Sequence, residues 1–262
     1  MESTMISKPK PLALITGASA GIGRATAVTL ASLGYDLLLL ARRTERLQHL
    51  KTEIAKDFPS VTIFLYTCDV SSKPDIETLI QQHGNELQHL DLIVNNAGLA
   101  KGVDHFQNAS LDDFDQMLNT NIRGLIYCTR LLLPFLLKRQ GGQIVNIGSV
   151  AGRWVYPGGA VYCASKFAVR ALTEGLRQDL CGTGLRVTNI EPGMVESEFS
   201  VVRLGDPKKA DAVYQGMTPL SPKDIADTIA WCVSRPKHVN IQEIVIFPTD
   251  QAAIRQVHRQ ET

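Results

Sequence analysis

The stretch LALITGASAGIG, residues 12–23, joins a short apolar run to a glycine-rich turn. The run has the length of a buried β-strand, and the turn opens into a segment with helical periodicity. Glycines let the backbone approach a pyrophosphate closely, and a helix N-terminus offers free N–H groups to phosphates. The spacing is GxxxGxG rather than the common GxGxxG, and a purely structural turn is the competing interpretation. The candidate nucleotide-binding residues are Thr16, Gly17, Ser19, Ala20, Gly21, Ile22 and Gly23.

Short apolar runs alternate with amphipathic stretches along the chain. The predicted strands are residues 12–16, 36–41, 61–66, 92–95, 143–147, 186–190 and 243–247. The predicted helices are residues 21–33, 44–58, 73–87, 111–138, 161–181 and 222–234. This alternation predicts right-handed βαβ crossovers and a doubly wound, Rossmann-like α/β fold. We expect one domain over residues 1–262, with a parallel sheet covered by helices on both faces.

Two segments fall outside the alternation. Residues 196–218 are polar and without a clean period, and they follow the sixth predicted strand. Ligands bind beyond the carboxyl ends of the strands in open α/β sheets, so this insert is predicted to be a substrate lid. A plain surface excursion is the alternative. The polar tail, residues 249–262, either packs across a subunit interface or is disordered.

The bulk composition excludes several function classes. The chain has 262 residues with 27 basic and 26 acidic side chains, so no strong field attracts nucleic acid or anionic membrane. Five cysteines without a CxxC pair indicate reduced thiols, and six histidines without ligand spacing predict no metal site. Residues 1–11 lack a signal-peptide pattern, and no apolar run is long enough to span a membrane. We expect a soluble, cytoplasmic protein with a small-molecule substrate.

Two arginines end the second predicted strand. An NAD-dependent enzyme places an acidic side chain there for the adenosine ribose. Here Arg42 and Arg43 occupy that place, and guanidinium groups match a dianionic 2′-phosphate. The residues therefore predict NADP as the cofactor, with Ser19 adding a hydroxyl to the same phosphate. The alternative is that both arginines only begin a solvated helix.

Polar and small residues end the third and fourth predicted strands. Asp69-Val70 follows the third strand, where a carboxylate could accept from the adenine amino group. A helix N-cap is the competing role of Asp69, although one of the two serines that follow would serve better. Asn95, Ala97 and Gly98 follow the fourth strand. Such residues are expected to line the floor of the nucleotide cleft and to tie the central strands together.

Tyr162 and Lys166 lie four residues apart on a predicted helix and so share one face. A nearby ammonium favours a phenolate, which predicts that Lys166 lowers the pKa of Tyr162 and makes it a general acid or base. Lys166 could also bind the nicotinamide ribose. Ser149 ends the fifth predicted strand and could donate to the substrate oxygen. Asn121, in the long fourth helix, would orient a water that carries the proton from Lys166. An isolated Tyr-x-x-x-Lys pair on a solvated face is the alternative.

These features together resemble the classical short-chain dehydrogenase/reductase family from residue 12 to about residue 247. The resemblance rests on the glycine turn, residues 95–98, Asn121, Ser149, Tyr162, Lys166 and Pro192-Gly193. It implies a seven-stranded Rossmann-like sheet and the four catalytic roles just given. It also implies that Pro192, Gly193, Val195 and Ser197 lie beside the nicotinamide. Family members are commonly homotetramers or dimers, so an oligomer is expected.

A narrower resemblance points to the NADP-dependent 3-hydroxy acid dehydrogenases, which act on serine and allo-threonine. It rests on residues 97–100, 149–156, 191–203 and 246–249. A hydroxy acid needs a cation for its carboxylate, and Arg203 in the insert and Arg153 are the candidates, with Arg203 preferred. Two alternatives stay open. One is a reductase of uncharged ketones, diketones or 3-oxoacyl groups, and the other is a non-catalytic NADP(H)-binding protein.

Overall fold

A parallel sheet of seven strands forms the centre of the protein. The computed structural model describes residues 10–139 and 141–260, so the polar N-terminal segment up to residue 9 and the last two residues of the tail lie outside the described residues. The strand order is β3-β2-β1-β4-β5-β6-β7. The strands are β1 (Leu12–Thr16), β2 (Asp36–Ala41), β3 (Ile63–Thr67), β4 (Leu90–Asn95), β5 (Gln143–Ile147), β6 (Arg186–Pro192) and β7 (Glu243–Ile246).

Helices cover both faces of this sheet. They are α1 (Gly21–Ser32), α2 (Thr44–Asp57), α3 (Lys73–His83), α4 (Leu111–Leu118), α5 (Leu125–Leu137), α6 (Ala160–Asp179), α7 (Glu198–Leu204), α8 (Pro207–Ala212) and α9 (Pro222–Val233). Alternate residues of β2 point to opposite faces of the sheet. Leu37 and Leu39 belong to the hydrophobic core on one face, and Leu38 and Leu40 to the core on the other. The doubly wound fold predicted from the apolar runs is confirmed. No helix in the described ranges is both long and apolar enough to cross a bilayer.

The long helix predicted over residues 111–138 is interrupted. A π-helical turn, Asn119–Gly124, separates α4 from α5 and holds Asn121. π-helical turns inside α-helices are often found at functional sites, and they shift the side chains that follow around the helix axis. Gly124 lies in this turn, and a Cβ there would come within 2.8 Å of Val70 Cγ2. The missing side chain at Gly124 therefore lets this part of the helix pack closely on the loop after β3.

The insert over residues 196–218 contains two short helices that were not expected from its sequence. Ser197 caps α7 by accepting from the Phe199 N–H, and Asp206 caps α8 by accepting from the Lys208 N–H. Between them Gly205 has φ +66°, a left-handed conformation that ends α7. The caps and the glycine define these helices, because each is too short to show an apolar period.

The tail folds back onto this insert, an arrangement that neither of the two expectations for it described. Arg259 donates through Nη2 to the Val213 carbonyl at 2.9 Å and also binds the Gln215 carbonyl. The Gln260 N–H donates to the Gly216 carbonyl at 2.8 Å. The described part of the tail therefore holds the C-terminal end of the insert within the same chain.

Candidate active site

A glycine cradle lies between β1 and α1. Gly17 has φ +65°, and a Cβ on it would lie 3.0 Å from Ala97 Cα. A Cβ on Gly23 would lie 2.5 Å from the Gly17 carbonyl oxygen, so only glycine fits at both positions. Among the described residues no side chain caps the N-terminus of α1, which begins after Ala20. Its first N–H groups are therefore free for an anion, which fits the pyrophosphate of a dinucleotide.

A cleft of about 360 Å³ opens from this cradle along the carboxyl edge of the sheet. It brings together most of the residues predicted from the sequence. Those that line it are Gly17, Ser19, Ala20, Gly21, Ile22, Arg42, Arg43, Asp69, Val70, Ala97, Gly98, Ser149, Tyr162, Lys166, Pro192, Gly193, Val195 and Ser197. Thr16, Gly23, Asn95 and Asn121 lie outside its lining, and their contacts show what they do instead.

Asn96, not Asn95, faces the cleft. The Asn95 side chain is buried and donates through Nδ2 to Thr129 Oγ1 at 2.9 Å and to Asn146 Oδ1 at 2.8 Å, which ties β4 to β5. The expectation that Asn95 lines the cleft is therefore wrong, and the expected tie between central strands is confirmed. Asn96 donates to the Thr16 carbonyl at 2.9 Å and so supports the cradle from below. Consecutive residues at the end of a strand point to opposite faces, which explains the one-residue error.

Thr16 has a supporting role under the cradle. Its Oγ1 accepts from the Asn96 N–H at 3.0 Å and from the Ala97 N–H at 2.9 Å. These bonds fix the loop after β4 against the glycine turn. Thr16 and Gly23 therefore shape the floor of the cleft without lining it.

Positive charge collects where β2 ends. Arg43 donates through Nε and Nη2 to Ser19 Oγ at 3.2 and 3.1 Å, and through Nη1 to Glu198 Oε2 at 2.9 Å. Arg46 binds the other oxygen of Glu198. Arg42 Nη1 lies 3.9 Å from Asp69 Oδ2. No local sequence pattern indicates the pairing of Arg46 with Glu198, because Glu198 comes from the insert and only the tertiary fold brings it here.

Asp69 is mainly a turn residue. Its Oδ1 accepts from the Ser71 N–H at 2.9 Å and from Ser71 Oγ at 2.7 Å. Ser72 is the N-cap of α3, as expected for one of the two serines. Asp69 still lines the cleft, so its contact with an adenine amino group stays a prediction.

Ser149, Tyr162 and Lys166 meet at the inner end of the cleft. Ser149 precedes a single 3₁₀ turn, Val150–Gly152, and its Oγ accepts from the Ala151 N–H at 3.1 Å. The Ser149 hydroxyl also acts on the Tyr162 phenol, whose pKa it lowers. Lys166 Nζ donates to the Ile147 carbonyl at 2.9 Å and lies 5.9 Å from the centre of the Tyr162 ring. A hydroxyl, a phenol and an ammonium thus surround one point at the sheet edge.

The electrostatics of this cluster differ from the expectation. Burial raises the pKa of the Tyr162 phenol, and the Tyr156 phenol adds to the rise. The hydroxyl of Ser149 and the charge of Arg203, rather than the Lys166 ammonium, oppose this rise in the pKa. Burial also lowers the pKa of Lys166 to about 8, so its charge is only partly retained above neutral pH. The expectation that Lys166 lowers the pKa of Tyr162 is wrong for the protein alone, because both groups are buried.

Asn121 holds backbone rather than facing the cleft. Its Oδ1 accepts from the Leu99 N–H and its Nδ2 donates to the Leu99 carbonyl, both at 2.8 Å. Nδ2 also donates to Ser165 Oγ at 3.0 Å, and Ser165 Oγ donates to the Tyr162 carbonyl at 2.7 Å. This side chain therefore joins the loop after β4 to the helix that carries the phenol. Ser165 was missed, since a small residue inside a helix gives no signal of its own.

A second cavity, of about 250 Å³, adjoins the cleft at Tyr162. Arg203 lies in its wall, donates through Nη1 to Tyr156 Oη at 3.0 Å, and has its Cζ 5.9 Å from the Tyr162 ring centre. Arg153 lines neither cavity, because its guanidinium binds Glu191 and Glu243. The structure therefore removes Arg153 as a candidate for a substrate carboxylate and leaves Arg203.

Gln251, from the tail, supports the loop after β6. Its Oε1 accepts from the Met194 N–H at 2.8 Å, and only 3% of the residue is exposed. A Cβ on Gly193 would come within 2.4 Å of the same oxygen. This contact between distant parts of the chain could not be predicted from any local pattern.

The arrangement fits proton transfer beside a dinucleotide. A phenol can exchange a proton with a substrate oxygen, and a serine hydroxyl can stabilise charge on that oxygen. Three or more histidine, cysteine or carboxylate ligands come together nowhere within residues 10–139 and 141–260.

Comparisons with known proteins agree on one group. Residues 11–205 match the family described as short chain dehydrogenase. The NADP-dependent 3-hydroxy acid dehydrogenase YdfG of Escherichia coli (strain K12) is 41% identical over 95% of this chain and 100% of its own length. Sulfoacetaldehyde reductase 2 of Chromohalobacter salexigens is 42% identical over 92% of this chain and 95% of its own. The closed form of a serine dehydrogenase complexed with NADP⁺ superimposes with a TM-score of 0.87 at 41% identity, covering 95% of this chain and 100% of that one.

Proposed function

The chain belongs to the short-chain dehydrogenase family, and from that premise we propose that it is an NADP(H)-dependent oxidoreductase acting on small 3-hydroxy acids. In this proposal residues 1–262 form one NADP-binding domain, the insert over residues 196–218 is the substrate lid, and the tail braces that lid. Serine, allo-threonine and 3-hydroxyisobutyrate are the expected type of substrate. The observation that carries the proposal is Arg203, a guanidinium within 6 Å of the Tyr162 ring in a small cavity.

The cofactor assignment rests on charge at the end of β2. Arg42 and Arg43 stand where an acidic residue would bind the ribose of NAD, and Arg43 already engages Ser19. A 2′-phosphate carries a double negative charge that suits a guanidinium fork. When bound, NADP⁺ would supply the hydride acceptor.

The catalytic residues then take distinct roles. Tyr162 exchanges the proton with the substrate oxygen, and Ser149 donates to that oxygen as charge develops on it. The raised pKa of Tyr162 keeps the phenol protonated at neutral pH, which suits it to protonate the alkoxide that forms when a ketone accepts a hydride. Lys166 binds the nicotinamide ribose. Asn121 positions the helix that carries Tyr162 through Ser165, and a proton-relaying water beside it stays a prediction.

Recognition of the acid falls to Arg203 together with Tyr156. The guanidinium donates to the Tyr156 hydroxyl through Nη1 and to the Gly102 carbonyl through Nε at 3.3 Å. These bonds hold the side chain in one orientation over the two tyrosine rings. A carboxylate two bonds from the reacting carbon would lie between this fork and Tyr162. The small cavity suits a substrate of a few carbon atoms.

Replacing Arg203 with alanine tests this assignment. We expect KM for serine or 3-hydroxyisobutyrate to rise about 10- to 100-fold, because one charged hydrogen bond of roughly 1.5–3 kcal/mol is lost. KM for a neutral secondary alcohol should stay within about twofold. Arg203→Lys is the matched control, since it keeps the positive charge but not the forked guanidinium. Its KM for the acids should lie between the values of the wild type and of Arg203→Ala. An unchanged KM for the acids would remove Arg203, and faster reduction of a diketone than oxidation of any acid would favour the uncharged-ketone alternative.

A second variant tests the tail. Gln251→Ala should lower kcat/KM for NADP⁺ about tenfold, because the Met194 N–H loses its acceptor and the loop beside the nicotinamide is no longer held in place. Gln251→Glu keeps an acceptor oxygen and should restore most of the activity. Steady-state kinetics on both variants provide the readout. Equal losses in the two variants would contradict a role for the acceptor oxygen, because glutamate keeps both that oxygen and the size of the side chain.

An oligomer of two or four copies is part of the proposal. Trp154, Phe167 and Trp231 remain 47, 39 and 46% exposed in the single chain. Large apolar side chains left at a surface often lie at subunit contacts. Light scattering of the purified protein would give the number of copies.

A further inference from the structure

A carboxylate from the insert occupies the arginines that the proposed function assigns to the cofactor phosphate. Glu198 begins α7, and its two oxygens bind Arg43 and Arg46. Glu198 also lines the dinucleotide cleft. The same guanidinium of Arg43 thus binds the cleft hydroxyl of Ser19 on one edge and an acid on the other.

This ion pair is accessible to a ligand. The side chains of Arg43, Arg46 and Glu198 are 45, 47 and 43% exposed, so water and ions reach all three. Exposed ion pairs are weak, and a dianion can displace a carboxylate from one. The two arginines hold the pKa of Glu198 below its usual range, so the carboxylate is ionised at neutral pH.

We propose that Glu198 is a determinant of cofactor selectivity, competing with the 2′-phosphate of NADP(H) for Arg43. The inference rests on the proposed use of NADP(H). A 2′-phosphate at Arg43 competes with Glu198 for the Nη1 donor, and it brings further negative charge close to this carboxylate. NAD(H) has no charge at that position and experiences neither effect. Glu198 therefore lowers the affinity for NADP(H) and reduces the difference between the affinities for NADP(H) and NAD(H). The same carboxylate also ties the insert to the end of β2.

Glu198→Gln tests this with little change of shape. Titration calorimetry on the full-length protein should show NADP⁺ binding about three- to tenfold tighter in the variant, since one nearby like charge is removed. NAD⁺ binding should stay within about twofold. The difference in NADP⁺ affinity between Glu198→Gln and the wild type should become smaller as the salt concentration is raised, because exposed charges are screened. Glu196→Gln is the matched control, since that acid is exposed two residues away and should change neither affinity.

Two results would overturn the inference. Weaker NADP⁺ binding in Glu198→Gln would show that the carboxylate instead holds Arg43 ready for the phosphate. An equal change for NADP⁺ and NAD⁺ would show that the effect is not at the 2′-position. The wild-type measurement separates these from a failure of the proposed function, because a wild-type protein that prefers NAD⁺ or binds neither dinucleotide would refute the NADP assignment itself.

Discussion

Replacing Tyr162 with phenylalanine should reduce kcat by about 10³-fold and leave the Kd for NADP⁺ within about twofold. The phenol is buried against Ser149 at the inner end of the cleft, and general acid–base groups contribute roughly 10²- to 10⁴-fold. Phenylalanine keeps the ring and its contact with Phe199, whose ring centre lies 5.7 Å away. Steady-state rates and calorimetric binding on the same preparation give both numbers.

Tyr127→Phe is the matched control for this variant. Tyr127 accepts from Arg123 at the surface of α5, away from the cleft, and its loss should leave kcat unchanged. Turnover of Tyr162→Phe within tenfold of wild type would exclude the phenol as the proton carrier. If instead NADP⁺ binding and turnover were lost together, Tyr162 would be a binding residue, and the separation of roles proposed above would fail.

Lys166→Met should stabilise the cofactor-free protein at pH 7 while removing nearly all activity. Burial lowers the pKa of Lys166 from 10.5 to about 8, so keeping its charge in the folded state costs about 3 kcal/mol. Loss of the hydrogen bond to the Ile147 carbonyl offsets about 1 kcal/mol. We therefore expect the free energy of unfolding to rise by about 2 kcal/mol, and kcat to fall by about 10³-fold as the nicotinamide ribose loses its partner.

The difference in the free energy of unfolding between Lys166→Met and the wild type should become smaller as the pH rises. Between pH 8 and 10.5 the unfolded wild type holds a proton on Lys166 that the folded protein has released, so wild-type stability rises with pH in that window. The advantage of Lys166→Met should therefore narrow by about 2 kcal/mol between pH 7 and pH 9.5. Urea unfolding of both proteins at the two pH values measures the difference, in which other titrating groups cancel. A variant less stable than wild type at pH 7 would contradict the buried charge.

Local sequence patterns predicted best the strands that are buried along nearly their whole length. The runs at residues 12–16, 36–41 and 143–147 match β1, β2 and β5 at both ends, since turns bound each of them. The two helices of the insert were missed because capping by Ser197 and Asp206, not apolar periodicity, defines them. The π-helical turn at Asn121 leaves no trace in an apolar pattern that continues through it.

The site was predicted to the extent that single strands and helices position it. Ser149, Tyr162 and Lys166 were found because a strand end and one helical turn place them. The contacts of Gln251 with Met194 and of Glu198 with Arg43 join segments far apart in the chain, so nothing local indicates them. The pKa of Tyr162 was predicted in the wrong direction, because spacing reveals a neighbouring charge but not the depth of burial.

The most direct measurement follows a deuterium label. Purified protein is incubated with NADP⁺ and allo-threonine deuterated at carbon 3, and the reduced nucleotide is analysed by mass spectrometry. The account predicts NADPH that carries the deuterium on its nicotinamide ring, formed at least tenfold faster than the corresponding product from NAD⁺. Reduced nucleotide without the label, or no reduced nucleotide from any hydroxy acid supplied, would contradict it.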